Sequence, residues 1–203
     1  MGGISFSKIL ENSHRRINDE AIVEFRKLVD KSICNWEGKI DHEWDNLSPD
    51  QFEDPRDMED YRGVLDDQYY LVNQVKTLSY ELSITALFKL VEIHTKRVVK
   101  WHMPSIDSSK LFNFNSLEKA LPFDLKLVKN FQAFDELLEL NNAIKHVGKV
   151  SEKLASKHSS KGWVKKENFT GLDKAFDRLS PLISEYMDDL AAKIYANSER
   201  DDT

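Results

Sequence analysis

The stretch richest in reactive groups is Asn141-Asn142-Ala143-Ile144-Lys145-His146-Val147-Gly148, which closes an apolar helical pattern. Asn142 and His146 are four residues apart and share a helix face; Asn141 and Lys145 form a second such pair beside them. An imidazole titrates near neutral pH and can serve as a general base. A lysine beside it holds a phosphate as a point charge. Gly148 is placed to cap the helix. The plainer reading is a helix-end histidine favoured by the macrodipole, with the asparagines fraying the last turn. The residues alone leave both open.

A lysine run starts inside this segment. Lys145, Lys149, Lys153, Lys157, Lys161 and Lys165 recur at every fourth residue, and Lys166 follows. On a helix such steps drift by about 40°, giving a slowly winding positive stripe. Lysines so placed contact phosphates without reading sequence, and Trp163 and Phe169 would stack on the bases of a single strand. The alternative is a solvated lysine-rich loop. The net charge of −6 argues against a general nucleic-acid coat. Residues 41–67 hold eleven Asp or Glu against Arg56 and Arg62, so charge is segregated along the chain. That acidic block is read either as solvated surface or as a competitor for the lysine stripe.

Other chemistry is poorly supported. Asp41-His42-Glu43-x-Asp45 does not put its ligands on one face, and no metal is expected. Ser156–Ser160 lacks a nucleophile-elbow context, and no Walker loop, dinucleotide fingerprint or zinc motif occurs. Cys34 is the only cysteine, which excludes an intrachain disulfide. No cofactor is expected. No apolar run reaches the length of a membrane span. The segment Met1–Phe6 fits neither a secretory signal nor the myristoylation pattern, so a cytoplasmic protein is expected.

Helices must position these groups. Ile22, Phe25, Val29, Ile33 and Trp36 make one stripe over about 18–36, with Gly38 a candidate interruption. A second pattern runs from about Asp57 to His102, with Val64, Leu71, Val75, Leu78 and Leu82 as its facing stripe. Uninterrupted it spans about 68 Å, and Gly63 is the expected break. A connector over 103–123 carries a short helix near Ser116–Leu121. The third pattern runs from Asp124 to His146 through Leu127, Phe131, Phe134, Leu138 and Asn141. The last runs from Gly171 to about Tyr195, with Ser180-Pro181 kinking or restarting it. Trp163–Val164 is the sole candidate strand. The expectation is an all-α, antiparallel up-and-down bundle of four to five helices with one long central helix, in a single domain 1–203. Antiparallel pairing of the second and third patterns sets His146 level with about Ser79–Ser83, beside Tyr80 and Glu81.

The string Asn-Ala-x-Lys-His also occurs in histidine-kinase ATPase domains, but that fold needs glycine-rich boxes downstream, and only Gly148, Gly162 and Gly171 follow. The segment resembles instead the signature helix of the HEPN superfamily, commonly Arg-Asn-x-x-x-His followed by Gly. The resemblance covers about 57–195, leaving an N-terminal helix and acidic loop over about 18–56. It implies an RNA-directed protein, often a metal-independent ribonuclease of bacterial toxin–antitoxin or anti-phage systems, acting as a homodimer with an antitoxin or defence-protein partner. Carried over, His146 is the catalytic base, Asn142 orients it or the phosphate, and Lys145 with Lys149 holds phosphate. The family's Arg position is Asn141 here, and an amide does not replace a guanidinium. The alternatives are a catalytically inactive RNA- or nucleotide-binding module and a helical protein-interaction subunit. A literal Arg97-x-x-x-x-His102 match is expected by chance in a chain with six histidines, and on a helix that pair points about 140° apart.

Overall fold

The structure, a computed structural model, describes residues 6–107 and 114–198. Most of the Met1–Phe6 segment, read as fitting no targeting pattern, and part of the 103–123 connector lie outside that range. The described residues form seven α-helices and no strand: α1 Phe6–His14, α2 Glu20–Asp45, α3 Pro55–His102, α4 Phe114–Ala120, α5 Phe131–His146, α6 Glu152–Lys157 and α7 Leu172–Ala196. The fold is an all-α bundle with one long helix, as expected. No described helix is long and apolar enough to cross a membrane.

The chain divides into two compact units, 20–83 on one hand and 1–19 with 84–203 on the other. Helix α3 is continuous across the division. The break expected at Gly63 is absent, and α2 continues through Gly38. Neither glycine adopts a left-handed φ, and a Cβ at either would meet open space. A regular helix therefore accepts them at an entropic cost only.

Unit 20–83 is a two-helix hairpin. Asp54 caps α3, its Oδ1 accepting the Arg56 amide at 2.8 Å, and Pro55 takes the first helical position. Pairing is antiparallel: Tyr61 Oη donates to Glu43 at 2.6 Å, Trp36 Nε1 to Gln68 at 3.5 Å, Tyr69 to Asp41, and Tyr80 to Asp30 at 3.4 Å. The buried cluster is Ile33 and Ile40 of α2 with Leu65 and Val72 of α3. This corrects the expected facing stripe of α3. Val64, Leu71, Leu78 and Leu82 are all exposed. One partner helix covers only one side of α3, and it covers the side next to the longest apolar stripe.

In the larger unit, α7 buries ten of its 25 residues. Leu179, Ile183 and Ile194 have no exposure, each contributing roughly 2 kcal/mol relative to exposure. Pro181 lies inside α7, which continues past it. Against α7 pack α5 and α1. Helix α1, absent from the sequence reading, is held by Arg15, whose Nε donates to Asp188 at 2.7 Å. It is also held by His14, which sits among His94, His102 and Tyr195. His14 Nδ1 lies 3.0 Å from Tyr195 Oη, and His94 Nε2 lies 2.7 Å from the His14 carbonyl.

The third pattern is shorter than expected. Asp124 caps a single 3-10 turn, Leu125–Leu127, through the Lys126 amide at 2.9 Å. The chain then turns through Asn130 at φ 57° before α5 begins. A left-handed residue ends a right-handed helix, so Leu127 falls outside α5 and is exposed. The short helix near 116–121 is α4.

Two measurements check this architecture. Gly63→Ala should stabilise the chain by about 0.5–1 kcal/mol in urea denaturation, the gain of alanine over glycine inside a helix. Burial, then the charges of His94 and Arg97, lower the His14 pKa from its usual 6.5. His14 therefore favours the folded state fully above pH 6.5, and that contribution is lost as pH falls through its lower folded value. Protection factors of the α1 amides, which remove the intrinsic pH dependence of exchange, should fall on acidification, and less so in His14→Gln.

Candidate nucleotide-binding cavity at the end of the fifth helix

Helix α5 is buried on most sides. Phe134, Leu137, Leu140 and Ala143 are in the core, and so are Glu136, Glu139 and Asn141. Its last turn closes as expected. Gly148 takes φ +66°, and its amide and that of Val147 both donate to the Ala143 carbonyl.

Beside this last turn lies a cavity of about 350 Å³. Its floor is aromatic. Phe134 and Tyr186 stack with centroids 4.7 Å apart and planes 2° apart, Phe114 packs 5.0 Å from Phe134, and Phe88 packs 6.4 Å from it. Asn141, Asn142, Lys145, His146 and Lys153 also line the cavity. Four of the expected site residues, Asn142, Lys145, His146 and Lys153, thus share one cavity. Lys145 Nζ lies 5.9 Å above the Phe88 ring, a cation–π distance. The His146 side chain is exposed and makes no hydrogen bond among the described residues. Asn141 is 2% exposed, and its buried Oδ1 has no hydrogen-bond partner among the described residues. The residues of α3 on this cavity are Phe88, Val91, Glu92, Thr95 and Lys96. They lie further along α3 than Ser79–Ser83, and Tyr80 and Glu81 belong to the other unit. Glu92 accepts from Lys96 at 2.6 Å and Lys89 at 3.2 Å. Burial alone would raise its pKa, but the two lysines together hold it below the usual carboxylate value.

The lysine run does not form one helical stripe. Helix α6 covers only Glu152–Lys157, capped by Ser151, and Gly162 turns the chain at φ +82° after a 3-10 turn. Lys153 Nζ is 2.7 Å from Glu139; Lys157 Nζ is 2.8 Å from Asp135 and 3.1 Å from Glu139. Lys165 is 2.9 Å from Glu152, and His158 Nε2 is 3.2 Å from Asp135. Among the described residues Lys149, Lys161 and Lys166 have no ion pair, and all three are exposed. Trp163 is 8% exposed, its indole N–H donating to Glu136 Oε1 at 2.9 Å. Its ring is therefore not presented for stacking. The expected strand at 163–164 is replaced by two backbone bonds, Val150 N–H to Glu167 and Lys166 N–H to Val150.

Sequence reasoning missed the group that fixes this region. Arg178 of α7 donates to both oxygens of Glu136, at 2.8 and 2.7 Å. Glu136 is 1% exposed. Burial by itself would raise its pKa, but Arg178 and Trp163 outweigh that and hold it below 4.5. The available signal was two glutamates, Glu136 and Glu139, among the apolar positions of α5. Among the described residues no group of three or more His, Cys, Asp or Glu is placed to hold a metal. The chain matches no family model, and no curated protein or solved structure is significantly similar to it.

Removing Arg178 leaves a buried carboxylate uncompensated. Arg178→Ala should cost about 3 kcal/mol in urea denaturation at pH 7. The Glu136 pKa is depressed in the folded state, so its contribution is full above pH 4.5 and is lost as pH falls through the lower folded value. In Arg178→Ala burial should instead raise the Glu136 pKa, so the deficit against the native chain should narrow as pH falls through that raised value, and adding Glu136→Gln should recover part of the stability at pH 7.

Proposed function

We propose that the chain is a HEPN-like module that binds single-stranded RNA through one nucleotide held at the α5 cavity, without cutting it. The observation that carries this reading is Asn141, which lines a cavity with Lys145, His146 and Lys153 and whose buried Oδ1 has no partner among the described residues. A buried acceptor without a partner costs about 1–3 kcal/mol, and a base-edge N–H would satisfy it. The aromatic floor suits the base, and Lys145 with the nearby Lys149 suits the flanking phosphates. A ribonuclease is supported less. A general base is normally oriented by a neighbour, and His146 has none among the described residues. Asn141 also stands where the resembled family carries its arginine. Dimerisation and a bacterial defence setting belong to the resemblance alone.

The lysine pairing sets a quantitative expectation. For single-stranded nucleic acid, log K falls against log salt with a slope of about −0.7 per phosphate neutralised. The four lysines of the run without an ion pair among the described residues, Lys145, Lys149, Lys161 and Lys166, give a slope of at most about −3, whereas seven engaged lysines would give about −5. Titrating a labelled single-stranded RNA at several salt concentrations should return the shallow slope. Lys145→Ala should weaken binding, and incubation in EDTA should leave the RNA intact in both the native chain and His146→Ala. Cleavage that His146→Ala abolishes would establish the ribonuclease. Absence of salt-dependent binding would remove RNA as the ligand.

A further inference from the structure

The exposed side of α3 in unit 20–83 carries a heptad pattern that the hairpin uses only in part, through Tyr61, Gln68 and Val75. Tyr61, Gln68, Val75 and Leu82 fall at one seam position, and Val64, Leu71 and Leu78 at the other, alternating in three- and four-residue steps. The positions on one flank, Leu65, Val72 and Ser79, are buried in the hairpin. Those on the other flank are Asp60, Asp67, Gln74 and Glu81. Val64, Leu71, Leu78 and Leu82 are between 45% and 54% exposed, a long apolar rail for a soluble surface. The hydrogen bonds of Trp36 to Gln68 and of Glu43 to Tyr61 put α2 side chains along the same seam. The rail and α2 together thus form a groove of the kind that receives one further helix.

Charge selects the occupant. Residues 20–83 contain sixteen Asp or Glu against seven Lys or Arg. A second copy of the same hairpin would bring acidic flank against acidic flank, which disfavours pairing. A helix with an apolar seam and lysines or arginines beside it meets apolar rail and acidic flank together. We propose that this seam of unit 20–83 is a docking site for a basic amphipathic helix of another protein. The site is separate from the α5 cavity and does not depend on its function.

The experiment uses the full chain and three labelled synthetic peptides, each three heptads long. One has leucine at the seam positions and lysine at the flanks, one has leucine with glutamate flanks, and one is a scramble of the lysine peptide. Fluorescence anisotropy should show the ordered lysine peptide binding at least about tenfold more tightly than either control, a difference of about 1.4 kcal/mol. The double variant Leu71→Asp, Leu78→Asp should lose that binding with an unchanged helical circular dichroism signal, because both side chains are already exposed. The double variant Asp60→Asn, Asp67→Asn should narrow the gap between the lysine and glutamate peptides. Equal binding of the ordered and scrambled lysine peptides overturns the proposal, since charge alone would then explain it. A dimer in sedimentation equilibrium that Leu78→Asp dissolves also overturns it, and would assign the seam to a second copy.

Discussion

Glu136 is a carboxylate with almost no exposure, and the larger unit is arranged to compensate it. Taking such a charge out of water costs several kcal/mol unless partners satisfy it. Arg178 supplies a bidentate guanidinium from α7, and Trp163 supplies an indole N–H from the segment after α6. These donors come from two places in the chain, so one acceptor fixes α5 against α7 and folds the 149–166 segment back onto α5. A well-packed apolar residue would often stabilise as much. What the charge adds is directionality, because two oxygens and three donors fit in few arrangements. The end of α5, and with it the cavity, takes its position from this contact.

The same logic decides what the lysine run does. Asp135 and Glu139 are four residues apart on α5, and Lys153 and Lys157 are four apart on α6. The two i,i+4 pairs face each other, with Lys157 bridging both acids. Glu139 is 2% exposed, so this pairing differs from the solvent-screened surface bridges that contribute little. A periodic positive face is therefore matched to a periodic negative one inside the unit. The every-fourth spacing is real, but in the middle of the run it meets carboxylates.

Periodicity made the long helices legible because each buries a stripe against neighbours, and Gly148 was readable as a cap because only glycine enters the left-handed region cheaply. The choice of buried face on α3 was not readable. Leu65 and Val72 each directly follow a residue of the longer Val64–Leu82 stripe, and only the placement of α2 selects them over it. Helix α1 was missed because its interest lies in His14, whose partners His94, His102 and Tyr195 are distant in sequence. The site was half legible. Asn142, Lys145 and His146 do converge on a cavity, since all lie on one short helical turn. Its aromatic floor was not foreseen, because Phe88, Phe114, Phe134 and Tyr186 come from four helices and each reads alone as ordinary core.

On the proposed reading, Asn141 in place of the resembled family's arginine changes what the cavity is able to read. A guanidinium carries five donors and a permanent charge, and at a position 2% exposed it would need an anion or several acceptors to persist. Asparagine fits the same burial with one acceptor left over, Oδ1. On the proposed reading, the residue facing the ligand no longer answers to phosphate charge. It answers to an N–H on a base edge, while the charge falls to Lys145 and its neighbours outside the core. The cost of leaving Oδ1 unpaired is borne in the free protein and relieved when such a donor arrives. A ligand with a phosphate but no base donor would leave that cost in place. Selectivity at this cavity is thereby shifted from the backbone of the nucleic acid to its bases, which suits recognition better than cleavage of a phosphodiester.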